Sequence, residues 1–214
     1  MIYQRQSDLP YPQPWEFVHE RFFKNKRNLF YVDVGANDGL LVSNTAFFEL
    51  DMNWRGICIE PHPIAFSKLD ANRNCIKYNC CISDESTVLE YNMVSGYAEM
   101  LSGIKSVQDQ EHMNRINSEI QRHGGKLEVI NVESKRLDTI LKENAIHHVD
   151  YLSIDTEGAE MKVLSSLDLN AFDITVISAE NSSTNNDVKN LLDSFGYDFI
   201  AKVCSDEIFL KRNP

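Results

Sequence analysis

The sequence predicts an α/β domain: a mostly parallel sheet with helices on both faces and an antiparallel hairpin at one edge. Three observations predict it. Short apolar runs alternate with segments of helical period along most of the 214 residues, the rhythm of repeated strand–helix units. Four of those runs end in an acid, at Asp33, Glu60, Asp155 and Glu180. In a parallel sheet, strand ends of one polarity meet at one edge, where ligands bind. Finally, Tyr197–Val203 and Glu207–Leu210 alternate apolar and polar residues around a short break, which reads as a closing hairpin.

Residues 1–14 hold three of the six prolines and predict an extended arm. Over residues 15–28, Trp15, Phe17, Val18, Phe22 and Phe23 gather on one side of a helix that could cover the sheet or a cofactor mouth. Residues 1–29 are thus an arm and covering helix, and residues 30–214 the main domain. The first strand is 30–34. A helix over 40–51 turns Leu41, Ala46, Phe47 and Leu50 inward. The second strand is 56–60; Pro61 and Pro63 end it and start a helix through Leu69. The third strand is 75–82. Residues 92–126 are polar, broken by Gly96, Gly103, Gly124 and Gly125, and interrupt the rhythm. They read either as a lid over the substrate or as a surface loop plus helix. A strand at 127–133 and a helix at 136–144 come next. The fourth strand of the parallel set is 149–155 with a helix at 158–166. The fifth is 174–180 with a helix at 185–195, and the hairpin closes the chain.

Net charge is −11, with 32 acidic against 21 basic side chains. Such a chain repels phosphate backbones, so nucleic acid is not the expected partner. The short basic run Lys24-Asn-Lys26-Arg27 reads as a solvated helix end. No apolar run has membrane-spanning length and Met1 to Pro14 is not a signal peptide. Cys58, Cys75, Cys80, Cys81 and Cys204 match no zinc spacing and are expected as buried, reduced thiols of a cytoplasmic protein.

The chemistry begins at Phe30-Tyr-Val-Asp-Val-Gly-Ala-Asn-Asp-Gly39 and Ile57-Cys-Ile-Glu60. A nucleoside cofactor needs a turn its backbone can approach, and a carboxylate at the next strand tip for two ribose hydroxyls. Glu60 lies 21 residues past Gly39, near the roughly 20 expected of a ribose-binding acid. The turn reads Asp33-x-Gly35-x-Asn37-x-Gly39, without the third glycine that admits a pyrophosphate. It therefore suits a cofactor with a cationic amino acid end, such as S-adenosylmethionine, better than a nicotinamide dinucleotide. Asp33 is expected to face the ammonium, Gly35 and Gly39 to admit the cofactor, and Asn37 to take left-handed backbone. Ile82 and Ser83, before Asp84, are placed for adenine, although an acidic turn explains them as well.

Asp155-Thr-Glu-Gly-Ala-Glu160 and Glu180-Asn181 form a second constellation. Asp155, Glu180 and Asn181 at neighbouring strand ends suit Mg2+ or Mn2+, which would acidify an alcohol nucleophile. In a metal-free alternative Asp155 holds the cofactor's amino group and Glu180 or Glu157 is the base. His62 reads as a helix-start residue at the surface, with a place near the ribose or a role as base as the alternatives. His112 and His123 lie in the lid segment, where a base could reach the substrate. His147 and His148 precede the fourth strand at its far end and read as structural; Trp54, Phe47 and Phe48 read as core.

These residues resemble the FkbM-type S-adenosylmethionine-dependent methyltransferases. Val32-Asp-Val-Gly-Ala-Asn-Asp-Gly39, Ile59-Glu-Pro-His-Pro63, Ile82-Ser-Asp84, Arg136-Leu-Asp-Thr-Ile140, Val149 through Glu160, and Glu180 carry the resemblance. It implies a Rossmann-like class I methyltransferase fold with a seven-stranded sheet, and O-methylation of sugars, polysaccharides or secondary metabolites. It also implies partners: some members are modules fused to glycosyltransferases, including glycan-building enzymes of large algal viruses. The Asp155, Glu180 and Asn181 set is similar to the magnesium site of catechol-type methyltransferases, with Glu180 in place of an Asp. The leading expectation is an O-methyltransferase acting on a sugar hydroxyl of a glycan. The alternatives are methylation of a small metabolite or polyketide hydroxyl, a nicotinamide-dependent oxidoreductase, and a non-catalytic binding module.

Overall fold

The computed structural model describes residues 13–181 and 185–212, so nearly all of the predicted N-terminal arm lies outside the described residues. A large sheet is built from β1 (Phe30–Val34), β2 (Arg55–Ile59), β3 (Ile76–Tyr78), β8 (His148–Ile154), β9 (Asp173–Glu180), β10 (Tyr197–Val203) and β11 (Asp206–Lys211). Its order is β10-β11-β9-β8-β1-β2-β3. The five strands β3, β2, β1, β8 and β9 pair in parallel, and β11 joins β9 and β10 in antiparallel fashion. The predicted hairpin is thus the antiparallel edge. A second sheet, ordered β4-β7-β5-β6, consists of β4 (Cys81–Ile82), β5 (Val88–Ser95), β6 (Gly103–Ile104) and β7 (Lys126–Lys135).

Alternation along the central strands divides the core in two. Val32, Val34, Ile57, Ile59, Leu152 and Ile154 pack on one face against α5 (Leu137–Glu143), α6 (Glu160–Ser165) and α7 (Asp187–Ser194). Tyr31, Cys58, Tyr151, Val176 and Ile208 pack on the other against α1 (Pro14–Val18), α2 (Ala46–Leu50) and α3 (Pro63–Asn72). Helices therefore cover both faces, as the pattern predicts.

Four elements differ from expectation, each for a local reason. The covering helix is α1 followed by a π-type turn, His19–Phe23; Lys24 then leaves helical backbone. Its aromatic side does enter the core, Trp15 stacking on Phe47 and Phe23 meeting Trp54. The helix predicted over 40–51 is confined to α2. The Asp38 carboxylate takes the N–H groups of Leu40 and Leu41 and the Ser43 hydroxyl takes those of Thr45 and Ala46. These side-chain bonds hold a loop instead of a helical turn. Leu41 and Leu50 are exposed rather than inward.

The strand predicted over 75–82 is two strands in two sheets. Asn79 turns the chain by donating to the carbonyls of Glu60 and Pro61, and β4 then pairs with β7. Finally, residues 92–126 hold, as one reading expected, irregular backbone and then a helix, but they also pair into a sheet. They complete the second sheet and carry α4 (Gln110–His123), whose N-cap Asp109 accepts the N–H of His112.

None of the five cysteines forms a disulfide. Cys204 is exposed, unlike the buried thiols expected, because it sits in the β10–β11 turn with φ 54°. Among the described residues, no helix is long and apolar enough to cross a membrane.

Candidate functional site

The carboxyl ends of β1, β2, β8 and β9 open into one cavity of about 420 Å³, within the range of roughly 300–1,000 Å³ usual for small-molecule sites. Asp33, Glu60, Asp155 and Glu180 all line it. The β2 end is roofed by Cys81, Ile82 and Ala65, and the second sheet and α4 add Tyr91, Ser102, Gly103, Ile104 and Arg115.

The turn after β1 is held from both sides. The N–H groups of Gly35 and Ala36 donate to the Ile59 carbonyl at 2.9 and 3.1 Å, and Asp155 N–H donates to the Val34 carbonyl at 2.9 Å. Gly35 has φ +91°, and a Cβ there would lie 1.7 Å from the Asp155 carbonyl oxygen. The tight contact is thus with β8, not with a ligand. Asn37 has φ 47°, and its N–H donates to Glu60 Oε2 at 2.8 Å. His62 N–H donates to Glu60 Oε1 at 2.7 Å. Each carboxylate oxygen keeps a lone pair for a further donor. Burial pushes the Glu60 carboxyl up to about 7, against the pull of those two N–H groups. Asp33 is raised by burial, opposed by the Thr45 hydroxyl and Arg73.

Ile82 lines the cavity but Ser83 does not; its hydroxyl turns to Asp84 Oδ1 at 2.9 Å. Gly39 also lies outside the lining, because its α-carbon backs onto Leu69 and Arg73. His62 begins a helix as expected but is buried rather than at the surface. Its Nδ1 accepts the N–H groups of Ile64 and Ala65 while Nε2 faces the Val94 carbonyl at 3.0 Å. Those contacts fix the proton on Nε2 and leave no nitrogen for base chemistry. His123 stacks on Tyr97 outside the cavity lining. His148 pairs with Asp173 and Asp150 at the opposite end of β8. His112 reaches the site indirectly, its Nδ1 3.7 Å from Glu157 Oε2.

At the β8–β9 end, one oxygen each of Asp155, Glu157 and Glu180 lies within 4.8 Å of the others. Asn181 does not line the cavity. It follows Glu180 on the extended chain and faces the other way, with its amide on the Asn185 carbonyl at 3.3 Å and its N–H on Ser205. Glu157, expected as an alternative base, lies beside Asp155 and Glu180 in the cavity lining, carried inward by a left-handed backbone with φ 53°. Glu160 shapes this loop, its Oε1 accepting from Thr156 N–H, Thr156 Oγ1 and Gly158 N–H. A fourth carboxylate, not anticipated, is Asp206, the register partner of Glu180 across β11 and β9.

These acids strain one another. Burial, then the charges of Glu180, Asp206 and Glu157, drives the Asp155 carboxyl well up. Burial and Glu180 push Glu157 to about 8, with Arg115 opposing. Burial and Glu180 bring Asp206 to about 7. Three hard oxygen ligands with surplus negative charge fit Mg2+ or Mn2+ chemically.

Acids raised above their unfolded values stabilise the fold fully only below about pH 4, and that stability is lost as pH rises through 7–8. Each still-titrating group removes about 1.4 kcal/mol per pH unit. The ligand-free protein is expected to melt at least ~5 °C lower at pH 9 than at pH 6. A level or rising profile in calorimetry would contradict the charge strain.

The chain is similar to known methyltransferases. The family model described as the methyltransferase FkbM domain matches residues 33–199. The methyltransferase sdnD of Sordaria araneosa is 26% identical over 200 residues, covering 80% of this chain and 74% of that protein. The crystal structure of methyltransferase FkbM from Methylobacillus flagellatus KT superposes with a TM-score of 0.51 at 12% identity. That alignment covers 94% of this chain and 48% of that one, so the chain spans about half the length of its structural relative. With the family model matched over most of its length, the chain belongs to the FkbM methyltransferase family.

Proposed function

We propose that the protein is an S-adenosylmethionine-dependent O-methyltransferase. Its acceptor is a sugar hydroxyl of a glycan or glycoconjugate, and a divalent cation assists the transfer. The observation that carries this reading is the convergence of the four strand-end acids on one cavity. Two ends of that cavity have different chemistry. Glu60, with a free lone pair on each oxygen, suits a ribose diol, and Ile82, Cys81 and Ala65 suit an adenine face. Asp33, Gly35 and Asn37 suit the amino acid end of the cofactor, and its sulfonium supplies the methyl group when bound.

Asp155, Glu157 and Glu180 would hold Mg2+ or Mn2+, which makes a hydroxyl more acidic. The protein's own part is to orient the acceptor, exclude water and accept a proton. Glu157, near 8, is well matched to that last task if the cation is absent, and this favours the metal-free mechanism as second reading. The lining from the second sheet and α4 mixes Ser102 and Arg115 with Tyr91, Met100 and Ile104; an aromatic ring beside charged and polar groups suits a carbohydrate better than an apolar polyketide. The reading carries with it a cytoplasmic location and a glycosyltransferase as working partner.

The test is titration with S-adenosylhomocysteine in EDTA and then in Mg2+ or Mn2+. Micromolar binding in EDTA is expected, with a separate cation signal that disappears in Glu180→Gln. Glu60→Gln is expected to weaken S-adenosylhomocysteine at least ~30-fold, since two hydroxyl contacts to a charged group are each weakened. Unchanged affinity in that variant would remove Glu60 from the ribose. No binding by the wild-type protein would defeat the reading itself.

A further inference from the structure

Among the described residues, Arg73 is the largest fully buried side chain, and it lies behind the cavity-lining loop of Ser43 and Asn44. It follows α3, and all five of its N–H groups find acceptors. Nε donates to Glu49 Oε2 at 2.7 Å. Nη1 donates to the Gly39 carbonyl at 2.8 Å and to Ser43 Oγ at 3.4 Å. Nη2 donates to Tyr31 Oη at 2.8 Å and Thr45 Oγ1 at 3.1 Å. A lysine has three donors on a point and cannot reach this set; only the planar fork serves both Glu49 and the 39–45 loop.

The consequence lies at Thr45. Its hydroxyl oxygen is occupied by the Arg73 donor, so its proton is directed at Asp33 Oδ2, 2.5 Å away. Thr45, wholly buried, also caps α2 through its backbone, but its hydroxyl serves only Arg73 and Asp33, and Asp33 is itself buried. A carboxylate in such surroundings stays ionised only with donors and opposite charge nearby. Gly39 belongs to the same device: a Cβ there would lie 2.7 Å from Arg73 Cγ and 2.6 Å from Leu69 Cδ1, so the glycine makes room for the arginine. Ser43 and Asn44, on the same loop, line the cavity.

We infer that Arg73 and Thr45 are positioning residues for cofactor binding: the guanidinium fixes the 39–45 loop, and through the Thr45 hydroxyl it keeps Asp33 oriented and charged for the ammonium of the cofactor's amino acid end. This rests on the proposed cofactor site. Neither residue touches the reacting atoms.

The test compares two ligands on the whole protein. S-adenosylhomocysteine carries the amino acid end; 5′-methylthioadenosine has the same nucleoside and sulfur without it. Thr45→Val is expected to bind S-adenosylhomocysteine at least ~10-fold more weakly while binding 5′-methylthioadenosine as the wild type does. Thr45→Ser, which restores the hydroxyl, is expected to recover most of that loss. Arg73→Lys is expected to lose at least as much as Thr45→Val if it folds; Thr45→Val carries the test if it does not. Equal weakening of both ligands in Thr45→Val would reduce the residue to a packing role and overturn the inference, as would unchanged affinity for both. Binding of neither ligand by the wild type would overturn the cofactor site and the inference together.

Discussion

Asp155→Asn is expected to abolish methyl transfer, at least ~1,000-fold, while the folded protein becomes more stable. The two effects share one cause. Asp155 stands at the end of β8, its N–H fixed on the Val34 carbonyl, so its side chain is delivered to the cavity whatever its charge. There it meets Glu157 and Glu180 within 4.8 Å and feels Asp206 as well. Near neutral pH that crowding keeps the raised carboxyl protonated in the fold, a cost that the ionised unfolded chain does not bear; an amide of the same shape bears no such cost and leaves the packing untouched. Relief of that cost raises the melting temperature of the ligand-free protein by a few degrees, by roughly 2–4 °C for each kcal/mol in a chain of this size. Transfer suffers because the amide is a poor cation ligand and no base. Single-turnover methylation, calorimetric melting and S-adenosylhomocysteine titration on the same preparation check the three parts. Cofactor affinity within a few-fold of wild type is expected. A loss of tenfold or more would assign Asp155 to the cofactor's ammonium, the metal-free reading. Full activity would remove it from the reaction centre.

What the sequence discloses about this site follows from how local each feature is. Asp33, Glu60, Asp155 and Glu180 were legible because each closes an apolar run, and a parallel sheet gathers such ends at one edge. The alternation of Tyr31 and Val32, or Tyr151 and Leu152, likewise announces a sheet covered on both faces. Asp206 was not legible. It meets Glu180 only through the antiparallel register of β11 on β9, and its neighbours read as turn. Arg73 was hidden for a similar reason: a lone basic residue after a helix looks solvated, and nothing local says that Glu49, Thr45 and Gly39 will enclose it. The approach of Glu157 to Asp155 and Glu180 turns on a single left-handed residue, Glu157 itself. Only the adjoining Gly158 and the Glu160 bonds to this loop hint at it. The split of the third predicted strand depends on Asn79 side-chain bonds to β2's exit, which no periodicity records.

Gly35→Ala is expected to cost on the order of 3 kcal/mol or more and to remove cofactor binding and transfer together. Two penalties act at that position. The left-handed backbone, φ +91°, costs an alanine about 1 kcal/mol. The larger one is steric: the new Cβ would lie 1.7 Å from the Asp155 carbonyl oxygen and 2.8 Å from its carbon. Both atoms are backbone, so no side chain can swing aside. Either β1 and β8 part at their carboxyl ends or the turn moves, and each movement breaks a bond that builds the site. Parting the strands strains Asp155 N–H on Val34; moving the turn strains Gly35 N–H on Ile59. The cofactor turn and the reaction centre are therefore displaced by one methyl group that faces neither. Gly196→Ala supplies the internal comparison. Gly196 also has a positive φ, +82°, but a Cβ there meets nothing within 4 Å, so only the backbone penalty of about 1 kcal/mol applies. Thermal melting is expected to place Gly35→Ala roughly 6–12 °C below wild type and Gly196→Ala within about 4 °C of it. Equal shifts in the two variants would refute the steric argument. A Gly35→Ala protein that melts low yet binds S-adenosylhomocysteine normally would show that the turn and β8 move independently.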